Sequence, residues 1–85
     1  MKLPEGWNEC LVGCEIARHD FSAIPRFSMV VYVNYENLMK WYVYRYAGSG
    51  GFDMVPHLIS FGYCDSFNDG IEKCESAFRE FVDGA

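Results

Sequence analysis

The last part of the chain carries a regular pattern of hydrophobic residues. Five of them recur at alternating spacings of four and three, which places them on one stripe of an α-helix: Phe67, Ile71, Cys74, Phe78 and Phe81. Ser66 lies just before the stripe at an N-cap position, and the acid Asp69 follows within the first turn. The pattern predicts an amphipathic helix over residues 66–82, in spite of Gly70 inside it, with Gly84 after its end.

Ahead of this helix, the pattern is that of β-strands. Residues 27–33 and 38–46 are rich in β-branched and aromatic side chains, and the asparagine-containing residues 34–37 between them predict a hairpin turn. The glycines of residues 48–51 predict a second turn, which is followed by a returning strand over residues 52–63.

Three further signals complete the prediction of the sheet. Pro56 has no N–H to donate to a β-ladder, so it indicates that the returning strand lies at a sheet edge or is bulged there. Residues 10–17 alternate with a period of two and contain a central glycine, which predicts one more strand. Residues 19–26 contain a proline and several turn formers, and they predict a loop.

The order of elements is therefore four strands and a helix, or three strands and a helix if residues 10–17 form none. This order predicts an α+β fold, an antiparallel three- or four-stranded sheet with one C-terminal amphipathic helix packed on one face. A chain of 85 residues has room for one core, so we expect a single domain over residues 1–85, with the sheet at about 10–63 and the helix at about 66–82.

Both faces of the predicted sheet are apolar. Alternation in the strand of residues 38–46 places Met39, Trp41 and Val43 on one side and the tyrosines on the other. In the returning strand it places Ile59 and Phe61 together, opposite Leu58. One helix covers one face. The other is then covered by the chain itself, through Trp7, Leu11 and residues 19–26, by a second copy, or by another protein.

The net charge of the chain indicates which class of partner it binds. Twelve acids against seven bases give a formal net charge of -5, which opposes direct binding of nucleic acid or of an anionic membrane. The chain shows no apolar leader and no membrane-spanning run, and we expect a cytoplasmic protein. Most of the negative charge follows Asp65, so the helix presents an acidic face that we expect to meet a basic partner: Asp69, Glu72, Glu75, Glu80 and Asp83.

The cysteines and histidines are candidates for a metal site or for a catalytic thiol. Cys10 and Cys14 are spaced differently from the Cys-x2-Cys pairs of structural zinc sites, and we predict reduced, buried packing cysteines and no metal. In one strand, these two cysteines lie too far apart for a disulfide. Cys64 precedes the helix, where the dipole would lower its pKa, and His57 lies upstream as a base, which keeps a thiol enzyme as an alternative. We expect His19 and His57 at the surface.

A row of tyrosines on the second face is the remaining candidate surface. Tyr42, Tyr44 and Tyr46, with Lys40 and Arg45 between them, are typical of sheets that stack nucleic-acid bases. The negative net charge opposes that function, so we interpret the row as a protein-binding or self-association surface.

Residues 38–82 resemble a group of known proteins. The chain runs through Trp41-Tyr-Val-Tyr-Arg, a glycine turn, Ser60-Phe-Gly-Tyr-Cys-Asp-Ser-Phe and an amphipathic helix ending in Ala77-Phe78. In this it is similar to short sheet-plus-helix proteins encoded by phages and prophages, some of which are anti-CRISPR or other anti-defence proteins. The resemblance implies an inhibitor without enzymatic activity that occludes a host nuclease or nucleoprotein complex, and it assigns no functional residue.

These observations predict a non-enzymatic protein-binding module, in the host cytoplasm if it is phage-encoded, that inhibits a basic, nucleic-acid-processing partner by stoichiometric binding without a cofactor. The predicted partner-binding residues are Asp69, Glu72, Glu75 and Glu80 on the helix, and Tyr32, Tyr42 and Tyr44 on the sheet. One alternative is a structural homodimer that associates through the tyrosine face. Another is a small enzyme that depends on the Cys64 thiol.

Overall fold

The computed structural model describes residues 3–10, 14–20, 26–34, 36–47 and 55–84. This part of the chain forms five strands and one helix: β1 (Trp7–Cys10), β2 (Glu15–Asp20), β3 (Arg26–Val33), β4 (Met39–Ala47), β5 (Val55–Cys64) and α1 (Phe67–Asp83). Each strand pairs antiparallel with the next along the chain, in the sheet order β1-β2-β3-β4-β5. The α+β prediction is confirmed, but the sheet has five strands and not three or four.

The additional strand arises where we predicted one strand over residues 10–17. β1 ends at Cys10 and β2 begins at Glu15, and these two residues are paired across the β1–β2 ladder. The alternation of apolar residues continues across this reversal, so periodicity alone does not reveal it. The predicted loop of residues 19–26 is also too long, because β2 extends through Asp20 and β3 begins at Arg26. Residues 21–25 lie outside the described residues.

The predicted hairpin of β3 and β4 is confirmed. In its turn, the Asn34 carboxamide oxygen accepts hydrogen bonds from the backbone N–H groups of Glu36 and Leu38, at 2.9 and 3.0 Å. Asn37 takes a φ of 60°, in the left-handed region that asparagine tolerates better than most residues. The glycine turn predicted at residues 48–51 lies outside the described residues.

The predicted start of the helix is confirmed at Ser66. Its side-chain oxygen accepts a hydrogen bond of 3.0 Å from the backbone N–H of Asp69. The Asp69 carboxylate in turn accepts hydrogen bonds from the backbone N–H of Asp65, at 3.0 Å, and from the Lys73 ammonium, at 2.8 Å. The hydrogen bond from Lys73, followed by that from Asp65, holds the pKa of Asp69 below its usual value. These contacts satisfy backbone donors at the helix N-terminus, where no turn precedes them.

The core lies between α1 and one side of the sheet, which we call the helix face. Its fully buried side chains come from the strands and from α1, and they include Ile16, Met29, Val31, Val43, Ile71 and Cys74. Phe27 extends this core, since its ring meets those of Phe78 and Phe81 edge to face, at 4.6 and 5.6 Å between centroids.

Trp7 belongs to the helix face. It is 4% exposed, packs in the core, and its indole N–H donates a 3.2 Å hydrogen bond to the Glu75 carboxylate on α1. One alternative in the sequence placed Trp7 over the second face of the sheet, and that placement is wrong. Leu11, which the same alternative invoked, lies outside the described residues.

β5 is an edge strand, as Pro56 indicated, and it carries a bulge at Ile59 rather than at Pro56. Val43 pairs with Ser60, whereas Tyr44 pairs with Leu58, so Ile59 is an extra residue on β5. The extra residue reverses the alternation, so that Leu58 lies on the same side of the sheet as Phe61, while Ile59 packs against the core. The predicted grouping of Ile59 with Phe61 is therefore wrong.

Candidate functional site: an aromatic sheet face

The side of the sheet that faces away from α1 carries most of the tyrosines, and we call it the open face. Its side chains form cross-strand rows. One row runs through Glu15, Tyr32, Lys40 and Tyr63, the next through Ala17, Val30, Tyr42 and Phe61, and a third through His19, Ser28, Tyr44 and Leu58. The aromatic side chains thus concentrate on the β4 and β5 side, and small or polar side chains on the β2 side.

Tyr42 stands at the centre of the aromatic group. Its ring is nearly parallel to those of Tyr32, Tyr44 and Phe61, with centroids 5.6, 5.9 and 6.2 Å away. The hydroxyl groups of Tyr32 and Tyr42 lie 3.1 Å apart and share a hydrogen bond. This hydrogen bond, together with burial and the neighbouring tyrosines, raises the pKa of Tyr42 to about 12. Burial raises the pKa of Tyr44 as well. Both shifts make these hydroxyls harder to deprotonate at alkaline pH.

Part of the open face is exposed apolar surface. Leu58, Phe61 and Tyr63 are 47%, 64% and 62% exposed, and at about 150–250 Å² for an aromatic side chain they expose on the order of 300 Å². Among the described elements, none packs on this side of the sheet, since α1 contacts β3, β4 and β5 from the helix face. An apolar patch of this size is comparable to the largest patch on many monomeric proteins, which is often a functional surface.

Next to the aromatic group lies a shallow depression of about 430 Å³. It is lined by Glu15, Val30, Tyr32, Tyr42 and Tyr44. The tyrosines border Val30, and the carboxylate of Glu15 lies at the end of the row that contains Tyr32. The open face therefore offers a concavity with both polar and apolar lining, in which Glu15 is the one acidic group among the described residues.

The predicted site residues fall on two separate surfaces. Tyr32, Tyr42 and Tyr44 are brought together on the open face, whereas the predicted acids lie on α1, on the other side of the sheet. The three tyrosines and the helix acids therefore do not form one continuous binding site.

The acids of α1 also differ from one another. Glu75 is half-buried and accepts hydrogen bonds from Trp7, at 3.2 Å, and from the Arg18 guanidinium, at 3.4 Å. Asp69 is used at the helix N-terminus. Glu72, Glu80 and Asp83 are exposed. Four helix acids were predicted to bind a partner. Two of them, Glu72 and Glu80, are exposed and take no part in the hydrogen bonds of Glu75 and Asp69 described above.

Sequence reasoning missed Glu15, Leu58, Phe61 and Tyr63 as members of the site. Glu15 was assigned to the middle of a single strand. Phe61 was placed with Ile59 because the bulge in β5 leaves no mark in the alternation. Pro56 is the signal that the sequence offers for a bulge, but the extra residue is Ile59, three positions farther along β5.

The surroundings of Cys64 differ from those that the thiol-enzyme alternative requires. Cys64 is buried, and burial, followed by the charge of Asp69, raises its pKa, so the expected lowering by the helix dipole is wrong. His57 is exposed and lies seven residues from Cys64 along β5, roughly 23 Å at the rise of an extended strand. Cys74 is fully buried, and burial raises its pKa to about 12.

The four cysteines are free thiols. Cys64 and Cys74 are packing cysteines as predicted, but Cys10 is half-buried and Cys14 is exposed. Cys10 and Cys14 also do not share one strand, so the argument from their separation along a strand is wrong. His19 and His57 are exposed as predicted. Within the described ranges, no three or more His, Cys, Asp or Glu side chains are grouped so as to hold a metal ion.

In the part of the chain that the structure describes, no helix combines the length and the apolar character needed to cross a membrane. Comparison of this chain with protein-family models, with curated proteins and with solved structures finds no match.

Proposed function

We propose that this chain is a protein-binding module that acts by stoichiometric binding and uses the open face as its docking surface. The exposed aromatic surface around Phe61 carries the proposal, since an apolar sheet face of this kind is stabilised when a partner covers it. Large, rigid aromatic side chains bury much apolar area at a small cost in side-chain entropy, and they dominate the energy of many interfaces.

We further propose that the partner is basic and handles nucleic acid, and that the chain is an inhibitor of phage type acting in the host cytoplasm. The net charge of -5 supports a basic partner, because opposite charges steer association. The exposed acids of α1 add to this long-range attraction from the other side of the molecule. The resemblance of residues 38–82 to phage-encoded proteins supports the inhibitory role.

The docking surface is tested with two matched substitutions. Phe61→Glu places a charge at the most exposed aromatic position of the open face, and Val82→Glu does the same at an exposed apolar position on α1. A partner is isolated with the tagged chain, identified by mass spectrometry and purified, and its Kd and stoichiometry are measured by calorimetry. We expect one-to-one binding, a Kd at least tenfold higher for Phe61→Glu, and little change for Val82→Glu. Equal losses in both variants, or none in Phe61→Glu, would reject the open face as the docking surface.

The inhibitory role is tested in bacteria. Cells with an active CRISPR or other nuclease-based defence are infected with a targeted phage while they express the chain. We expect the wild-type chain to restore plaque formation and the Phe61→Glu variant to lose this effect. Plaque counts that stay at the defended level with wild-type chain, in every nuclease-based defence tested, contradict inhibition of such systems.

Self-association through the same face is the second candidate function. The same exposed aromatic patch supports it, because small domains often complete a core by forming dimers. The native mass of the reduced protein, measured by light scattering after size exclusion, separates the two functions. A dimer that Tyr44→Glu converts to a monomer supports a structural homodimer, whereas a monomeric wild-type protein rejects it.

A further inference from the structure

We infer that the depression on the open face binds the side chain of a lysine or arginine supplied by the partner. This inference rests on the proposed function, since it takes the open face as the docking surface and names the group that one part of it receives. The ligand is a primary ammonium or a guanidinium group on an aliphatic stem.

The shape of the depression suits such a side chain. Its volume of about 430 Å³ lies at the lower end of the range of small-ligand sites. Val30 provides an apolar surface between β2 and β4, and the rings of Tyr42 and Tyr44 border it. An aliphatic stem packs against these groups while its charged end extends beyond them, as long basic side chains commonly do.

The charges of the depression favour a cation. Glu15 contributes a half-buried carboxylate, and it forms no ion pair with any other residue in the described parts of the chain. The faces of tyrosine rings carry the negative part of the ring quadrupole, which attracts ammonium and guanidinium groups within about 6 Å of a ring centre. A carboxylate or phosphate ligand would instead meet Glu15 as a like charge.

The basic side chains on the described part of the open face do not pair with the Glu15 carboxylate, which therefore remains available to a ligand. Lys40 lies in the same row as Glu15, but its ammonium sits 5.2 Å from the centre of the Tyr63 ring, on the β5 side. His19 and Arg26 lie in rows farther along the sheet, opposite Ser28 and Tyr46. Lys40 over Tyr63 is also an internal example of the contact that we infer for the ligand.

The test uses small probes and the isotope-labelled full chain. Nα-acetyl-lysine methylamide and Nα-acetyl-arginine methylamide are titrated into the protein, and backbone and side-chain NMR shifts are recorded. Nα-acetyl-norleucine methylamide, which has an aliphatic chain without charge, is the matched control. We expect saturable shifts at Glu15, Val30, Tyr32, Tyr42 and Tyr44 with the two basic probes, and a Kd at least fivefold higher for norleucine.

Two isosteric variants test the carboxylate. Glu15→Gln keeps the size of the side chain and removes its charge, and Glu36→Gln does the same at an exposed position in the β3–β4 turn. We expect Glu15→Gln to raise the Kd of the lysine probe at least fivefold and Glu36→Gln to leave it within twofold. Equal affinity for norleucine, shifts confined to Glu72 and Glu80 on α1, or no effect of Glu15→Gln would overturn the inference.

The outcome also separates this inference from the proposed function. If Phe61→Glu abolishes partner binding while neither basic probe occupies the depression, the docking surface stands and the basic side-chain site is wrong. If the probes bind through Glu15 while Phe61→Glu leaves the partner bound, the depression binds basic side chains, but the docking surface is wrong and the partner does not supply that side chain there.

Discussion

Gly70 sets how closely α1 approaches the sheet. A Cβ atom at this position would lie 2.6 and 2.8 Å from the two methyl groups of Val31 and 3.0 Å from the sulfur of Cys64. Both neighbours are buried, so neither has space to withdraw. A glycine inside a helix normally weakens it by about 1 kcal/mol relative to alanine. Here its lack of a side chain is what permits the contact.

Substitution of Gly70 by alanine is therefore expected to destabilise the protein. Overpacking costs typically about 1–3 kcal/mol, and the gain in helix propensity offsets about 1 kcal/mol of this cost, so we expect a net loss of up to about 2 kcal/mol in urea unfolding. Ser76→Ala, at an exposed position of the same helix, controls for propensity. In a Val31→Ala background the loss should shrink, and an undiminished loss there would contradict a steric cause.

The hydroxyl pair of the open face leads to a prediction about alkaline pH. The pKa of Tyr42 is raised from 10.0 to about 12, chiefly by its hydrogen bond with Tyr32. The folded state thus holds this proton more tightly than the unfolded chain does. Its contribution to stability is complete below about pH 10 and is lost as the pH rises toward 12.

Tyr32→Phe removes the hydrogen bond but keeps the ring. We expect it to lower the pKa of Tyr42 toward its ordinary value, so that less stability is lost between about pH 10 and 12. The measurement is an NMR titration of the tyrosine ring carbons, with Tyr63→Phe as a control, because Tyr63 is the last and smallest of the causes. A Tyr42 titration that does not move in Tyr32→Phe would show that the hydrogen bond is not the main cause.

The elements that could be predicted are those whose signals lie close together in the sequence. The helix was readable because its apolar stripe, its N-cap Ser66 and its early acid all lie within one segment. The turn between β3 and β4 was readable for the same reason, since Asn34 closes it through its own side chain. Such signals depend on a few adjacent residues, so they can be recognised without knowledge of the rest of the fold.

The β1–β2 hairpin and the bulge in β5 were not predictable from periodicity. A reversal between Cys10 and Glu15 preserves the alternation of apolar residues, so two short strands look like one. The bulge shifts the register by one residue, and which residue is extra depends on pairing with β4. As a result, three tyrosines of the site were identified from the sequence, whereas Phe61 and Glu15 were not.

The N-cap of α1 provides a prediction at this scale. Ser66→Ala removes the acceptor for the Asp69 N–H, and we expect it to lower the free energy of unfolding by about 1 kcal/mol. Ser76→Ala is again the matched control, because Ser76 is exposed in the middle of the helix. Thermal unfolding followed by circular dichroism measures both variants. A loss in Ser76→Ala as large as that in Ser66→Ala would be inconsistent with a capping role.

In the molecule as a whole, Trp7 and Glu75 join the first strand to the last helix. The Trp7 indole and the Arg18 guanidinium both donate to the same carboxylate oxygen of Glu75, which ties β1 and β2 to α1. The remaining sheet contacts are between strands that are neighbours along the chain. The contact among Trp7, Arg18 and Glu75 thus links the two ends of the described chain, which strand pairing alone does not connect.

We expect Trp7→Phe to lower the free energy of unfolding by about 2 kcal/mol, because it removes a hydrogen bond to a charged group, which is worth about 1.5–3 kcal/mol. Trp41→Phe is the matched control. The Trp41 indole N–H is buried and has no hydrogen-bond partner among the described residues, so its removal loses no bond and relieves an unpaired donor. Urea unfolding should show the smaller loss in Trp41→Phe, and the opposite order would contradict the role of the Glu75 contact.

The position of α1 after all five strands has a consequence for the chain during synthesis. Until residues 67–83 have been made, the sheet has no helix to cover it, and apolar side chains are exposed on both of its sides. Trp7 is translated well before its partner Glu75, which follows 68 residues later. A nascent chain therefore completes this fold only after α1 has been made, and a product truncated before α1 would be prone to aggregation and proteolysis.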